Sequence, residues 1–237
     1  MQTTDLELGY LAHPETGTHP GVVMIPDVRG LYDHFRDLAR RLASEGFAVL
    51  AVDLYRRTGP PEIPDPAAAM RWIRELSDPQ VLADVQAGVD RLAAHPAVGG
   101  KPIGVTGFCM GGQYALLAAC GGRGLSACVP FYGMLAYAEG LDPAKKPRSP
   151  LDAASDLVCP VLGLYGEEDA LIPVDQVREF ETRALATGQP CEMRIYAGAG
   201  HAFLNETRPE AYRAEAARDA WARMVAFFRE TLGASHT

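Results

Sequence analysis

The chain has 237 residues, 48% of them hydrophobic and 22% charged, and 30 acidic against 22 basic side chains give a formal net charge of −8. This is the composition of a soluble globular unit with a full core, and its acidic balance argues against a surface that tracks nucleic-acid phosphates. No apolar stretch approaches a membrane span, and Met1-Gln2-Thr3-Thr4-Asp5 lacks the basic and apolar regions of a signal peptide. Five cysteines without C-x-x-C spacing fit reduced thiols, so the expected location is the cytoplasm.

In chain order, residues 6–11 alternate apolar and polar side chains and predict an antiparallel edge strand. Apolar, β-branched runs at 22–25, 48–52, 103–106, 127–132, 161–165 and 192–196 predict further strands. Helical patterns fill 32–45, 66–76, 79–95, 113–120, 174–186 and 209–232. The alternation predicts an α/β fold with a mostly parallel central sheet and helices on both faces, in a single domain over 1–237. Trp221, Val225 and Phe228 fall at i, i+4 and i+7, a stripe that should cover one sheet face. Two stretches stand outside the pattern. Residues 58–66 are Pro-rich, and 134–160 runs long between two strands and carries Lys145-Lys146-Pro147-Arg148. A connection of that length is more often functional or mobile than structural.

Chemistry concentrates at Gly107-Phe108-Cys109-Met110-Gly111-Gly112, a G-x-C-x-G-G turn between a predicted strand and an apolar helix. So sharp a turn strains its central residue and leaves no room for side chains two positions either side, which Gly107 and Gly111 provide. A thiol there sits at a helix N-terminus, where the reactive thiolate is favoured. Read alone, the motif equally fits a buried cysteine in a Gly-rich turn. A thiol nucleophile needs a base, and the base needs an orienting carboxylate. Asp169 follows the strand at 161–165 in Gly166-Glu167-Glu168-Asp169, and His201 follows the strand at 192–196 in Gly198-Ala199-Gly200-His201-Ala202-Phe203. Each alone fits a solvated loop residue. Nucleophile, acid and histidine in that order, each after a predicted strand, form the α/β-hydrolase arrangement. Cys120, Cys128, Cys159 and Cys191 lie in apolar surroundings and read as core residues. His13, His19, His34, His95 and His236 are scattered and receive no chemistry. With no H-E-x-x-H, no G-x-G-x-x-G after a strand and no carboxylate cluster at metal spacing, neither metal nor organic cofactor is expected.

On these residues the chain resembles the dienelactone hydrolase (carboxymethylenebutenolidase) family of α/β-hydrolases. The likeness runs from residue 22 to the C-terminal helix, through Val52-Asp53-Leu54-Tyr55, the cysteine turn, Tyr165-Gly166-Glu167-Glu168-Asp169 and Gly200-His201-Ala202-Phe203. The cysteine turn is its most specific piece, since most α/β-hydrolases carry serine there. The resemblance implies Cys109 as nucleophile, His201 as base, Asp169 as its partner, and the backbone N–H groups of Met110 and Val28 as oxyanion donors. It implies a small-molecule ester or lactone substrate, and a thioester acyl-enzyme. Two departures bear on substrate. Asp27 in Pro26-Asp27-Val28-Arg29-Gly30 stands where the family carries a glutamate that contacts the resting thiol. Asp27 either does the same or caps the helix from Tyr32. The family's arginine after the histidine, which binds a substrate carboxylate, falls near Asn205. Either Arg29 or Arg208 replaces it, Arg29 better placed and Arg71 less so, or the substrate lacks a carboxylate. A general carboxylesterase or thioesterase on the same triad is the nearer alternative, and a non-catalytic ligand-binding homologue the more distant one.

Overall fold

The computed structural model describes residues 1–137 and 140–233. Ala138 and Glu139 of the long connection, and His236, lie outside the described residues. Eight strands form one sheet: β1 (Gln2–Leu6), β2 (Gly9–His13), β3 (Gly21–Ile25), β4 (Ala48–Val52), β5 (Ile103–Phe108), β6 (Ala127–Phe131), β7 (Val161–Gly166) and β8 (Cys191–Tyr196). Their order is β1-β2-β4-β3-β5-β6-β7-β8. The first two run antiparallel to their neighbours, and every pair from β4–β3 to β7–β8 is parallel. β3 to β7 are buried along their whole length, which is why they read as unbroken apolar runs.

The helices are α1 (Asp33–Ser44), α2 (Pro66–Glu75), α3 (Asp78–Ala93), α4 (Met110–Ala119), α5 (Pro150–Ala153), α6 (Val174–Leu185) and α7 (Ala214–Leu232). Gly104 leaves room for Phe228 of α7, and Thr106 Oγ1 lies 3.6 Å from Met224 Sδ, so α7 covers one face of β5. Phe35 of α1 meets Phe108 on that same face. Gly88 of α3 packs against Val23 and Val52 on the other, where α4 lies beside it. Local chemistry sets the boundaries. Asp65 and Ser77 accept backbone N–H groups at the starts of α2 and α3, and Gly233 ends α7 in the left-handed conformation.

Three expectations change. Residues 6–11 are not one strand but the meeting of β1 and β2 around a turn at Glu7-Leu8. The C-terminal helix begins at Ala214 rather than 209, because 205–213 is a series of turns bonded back on itself. The connection at 134–160 holds α5 and a short 3-10 turn, and a buried ion pair anchors it. Lys146 Nζ lies 2.5 Å from Asp78 Oδ1, while Tyr114 and Tyr137 donate to the same carboxylate at 2.8 and 2.7 Å. Burial pushes the Lys146 ammonium pKa down against the pull of Asp78.

Candidate active site

The parallel strands end on one edge, and the predicted site residues follow them. Cys109 stands between β5 and α4 with φ 56° and ψ −119°, a strained conformation for any residue with a Cβ. Its N–H donates to Phe131 O at 3.0 Å, which ties the turn to β6. A Cβ on Gly107 would lie 2.0 Å from Gly111 O, and one on Gly111 would lie 2.1 Å from Ile25 O. The two glycines therefore permit the fold-back and its seating against the end of β3. That seating brings Asp27 and Val28, which follow β3, beside the head of α4. Among the described residues no backbone hydrogen bond uses the N–H of Val28 or of Met110, so both remain available to an acceptor.

His201 Nδ1 donates to Asp169 Oδ2 at 2.7 Å, and the other Asp169 oxygen accepts the Leu171 N–H at 2.9 Å. Asp169 is buried while Glu167 and Glu168 beside it are exposed, which separates the acid from its neighbours. The His201 ring packs edge-on against Tyr132, their centroids 5.2 Å apart. Nε2 is buried without a hydrogen bond of normal geometry, yet it is close enough to Cys109 for the sulfur charge to act on it. Burial alone lowers the imidazole pKa, but the Cys109 charge, followed by Asp169, outweighs it and raises the ring to about 10. Protonation therefore favours the folded state. The stabilisation is full below pH 6.5, the ring's ordinary value, and is lost as pH rises toward about 10. We expect the His201 titration, followed by imidazole NMR, to shift to lower pH in Cys109→Ala. An unchanged midpoint would mean that the sulfur does not act on the ring.

The four other cysteines are buried, and Cys109 is only partly so. Burial pushes the thiols of Cys120, Cys159 and Cys191 up to about 12 and that of Cys128 well above its ordinary range. Asp27 does not cap α1: the cap position is Tyr32, with no side-chain bond. Its carboxylate accepts the Arg29 N–H at 2.8 Å and the Tyr32 hydroxyl at 3.1 Å, and among the described residues it makes no hydrogen bond to Cys109. Burial pushes the Asp27 carboxyl pKa up, against the hydrogen bonds from Arg29 and Tyr32. Asn205 donates to the Tyr32 hydroxyl at 3.1 Å and accepts from Thr207 through its amide oxygen. Arg29 is exposed and Arg208 half-buried, and the charges of both act on Asp27. Arg71 is exposed on α2. Tyr32, Tyr55 and Tyr132 also belong to this neighbourhood, and sequence reasoning gave them no role. Only Tyr55, two residues beyond Asp53 in Val52-Asp53-Leu54-Tyr55, had a motif to mark it.

A cavity of about 440 Å3 is walled by Met70 and Ile73 of α2, Met134, Tyr137 and Lys146 of the long connection, and Leu171. Cys109, Asp169 and His201 do not line it; it is linked to them through Leu171, whose N–H holds Asp169, and through Met134, two positions beyond Tyr132. No cluster of three or more His, Cys, Asp or Glu side chains among the described residues is arranged to hold a metal ion. No helix among them is long and apolar enough to cross a membrane.

A mostly parallel sheet, a strained residue at a strand-to-helix turn, and an acid and a histidine after later strands define an α/β-hydrolase. The model of the dienelactone hydrolase family matches residues 8–232, and the chain belongs to that family. A solved structure from Klebsiella pneumoniae, provisionally named a dienelactone hydrolase, superposes with a TM-score of 0.85 at 37% identity, covering 93% of this chain and 92% of that one. A Bradyrhizobium protein, provisionally named a 2-oxo-3-(5-oxofuran-2-ylidene)propanoate lactonase, is 37% identical over 94% of this chain and 88% of its own length. The carboxymethylenebutenolidase of Rhodococcus opacus is 33% identical over 93% of this chain and 85% of its own. The chain is a hydrolase of the dienelactone hydrolase type.

Proposed function

We propose that the chain hydrolyses ester or lactone bonds with Cys109 as nucleophile, through a thioester acyl-enzyme. The observation that carries this reading is a strained, partly exposed thiol at the head of α4, beside a histidine bonded to a buried carboxylate. The Cys109 thiolate attacks the carbonyl carbon, and the Val28 and Met110 N–H groups receive the oxyanion, each such donor typically worth ~3 kcal/mol. The bond to the leaving oxygen breaks, that oxygen takes its proton from His201, and the acyl group stays on sulfur. The thiolate charge is then gone, and with it the first of the influences that raise His201. The ring now takes a proton from water, the water oxygen attacks the thioester, and the acid departs as Cys109 is released. A thiolate leaves as readily as it attacks, so activated esters and enol lactones suit it best. The lactonase and butenolidase names of the relatives support that substrate class, and the cavity linked to the site offers the volume for a small ligand. Asp27 stands next to the Val28 donor in the chain, its carboxylate bonded by the Tyr32 hydroxyl, which Asn205 in turn contacts.

Arg29 is the group we assign to an anionic substituent. Arg29→Ala should raise KM for carboxylated lactones by roughly 10- to 100-fold and leave neutral aryl esters little affected. Equal effects on both would make the arginine structural. One observation favours a second reading, a general carboxylesterase or thioesterase: Asn205 brings no charge where the family carries its arginine, and its amide is engaged with Tyr32 and Thr207. Turnover of a dienelactone, short aryl esters and acyl thioesters, side by side, decides between them. An enzyme that accepts only the neutral esters is a carboxylesterase.

A further inference from the structure

We infer that Tyr55 is a positioning residue for the oxyanion site, which it holds through the Val28 backbone; the inference rests on the hydrolytic reading above. Tyr55 follows β4 and is 2% exposed. Its hydroxyl donates to Val28 O at 3.0 Å, accepts the Trp72 indole N–H at 3.1 Å, and lies 3.7 Å from Met110 Sδ. One phenol oxygen therefore touches both residues whose N–H groups face the oxyanion, and a third from α2. The ring is equally constrained. A Cβ on Gly30, at φ 84°, would come within 2.6 Å of Tyr55 Cδ2, so the phenol lies flush under the turn at 27–30.

The other side of that turn is held by Asp27. Its carboxylate accepts the Arg29 N–H at 2.8 Å, and its carbonyl accepts the Gly30 N–H at 2.9 Å. The peptide unit joining Val28 to Arg29 is thus fixed at both ends, its carbonyl by Tyr55 and its N–H by Asp27. With its neighbouring peptide clamped, the Val28 N–H has a fixed direction before substrate arrives. Such preorganisation is what makes an oxyanion donor effective, because no reorientation is left to the transition state. Burial pushes the phenol pKa up, so Tyr55 stays a donor at any working pH.

The test separates ester acylation from alkylation of the same sulfur. Iodoacetamide needs a thiolate but no oxyanion donor, whereas p-nitrophenyl acetate needs both. In Tyr55→Phe, kcat for the ester should fall by ~10- to 100-fold with KM within about two-fold, while the rate of Cys109 alkylation and the pH profile stay as in the wild type. Trp72→Phe, which removes only the outer bond, should give a smaller loss of the same kind, and it carries the test alone if Tyr55→Phe does not fold. Alkylation falling in parallel with acylation would mean that Tyr55 merely supports the turn around the thiol, and an unchanged kcat would mean that it does nothing. Either result overturns the inference. If Cys109→Ala still turns over the ester, the hydrolytic reading itself fails, and the inference falls with it.

Discussion

Cys109→Ala should abolish turnover, by ~10^4-fold or more, and leave the protein folded. The turn does not depend on the sulfur. Alanine meets the same strain at φ 56°, and the close approaches around the turn belong to Gly107 and Gly111. Ester hydrolysis and a circular dichroism melt on the one variant separate the two effects. The wild type should lose activity on treatment with an alkylating agent, with Cys109 labelled well before Cys120 or Cys128 in peptide mass spectra. Cys120 and Cys128 are buried, and burial holds their thiols protonated. An alanine variant that keeps a near-normal rate would end the case for a thiol nucleophile.

Asp169→Asn should cost ~10^3- to 10^4-fold in kcat, while Glu168→Gln costs little. The carboxylate at 169 is buried and accepts from His201 Nδ1 at 2.7 Å, whereas Glu168 is exposed. An amide at 169 is free to present its NH2 to the ring, which would turn the histidine to the wrong tautomer and leave its other nitrogen unfit to serve the sulfur. Steady-state kinetics on the two variants settle the choice. A larger loss at 168 would mean the acid has been misassigned.

Much of this was legible in the chain itself, for reasons that differ by element. The central strands are buried on both faces, so β3 to β7 stand out as apolar runs without any need for alternation. The cysteine turn shows because its geometry forbids side chains at fixed offsets, which leaves glycine as a visible mark. β1 carries no such mark: four of its five residues are exposed, and the apparent alternation at 6–11 runs across the hairpin turn. Helical pattern at 209–213 gave no hint that these residues turn back toward 203 and 208 instead. The wall around the thiol is harder still. Tyr32 meets Asn205 from 173 positions away, and Tyr55 reaches Val28 across 27, so only the sheet order brings them together.

The cavity's two walls are unequally fastened. On one side Lys146 and Asp78 form a desolvated ion pair reinforced by two phenols, and taking away one charge alone would leave the other stranded at a cost of ~3–5 kcal/mol. On the other side α2 buries only Ile73, and is held by partly buried Met70 and Trp72, the exposed Glu75–Lys145 ion pair and the Trp72 indole bond to Tyr55. Segments that bury little are the first to move in a native protein, so room for a bulkier ligand in this cavity would come from the α2 side. Any outward step there stretches the Trp72–Tyr55 bond, and through it the backbone at Val28. On the proposed mechanism, with substrate in this cavity and the oxyanion at Val28, the breadth of substrates admitted and the speed of their reaction would share the Trp72–Tyr55 hydrogen bond, and a change that widened the first would draw on the second.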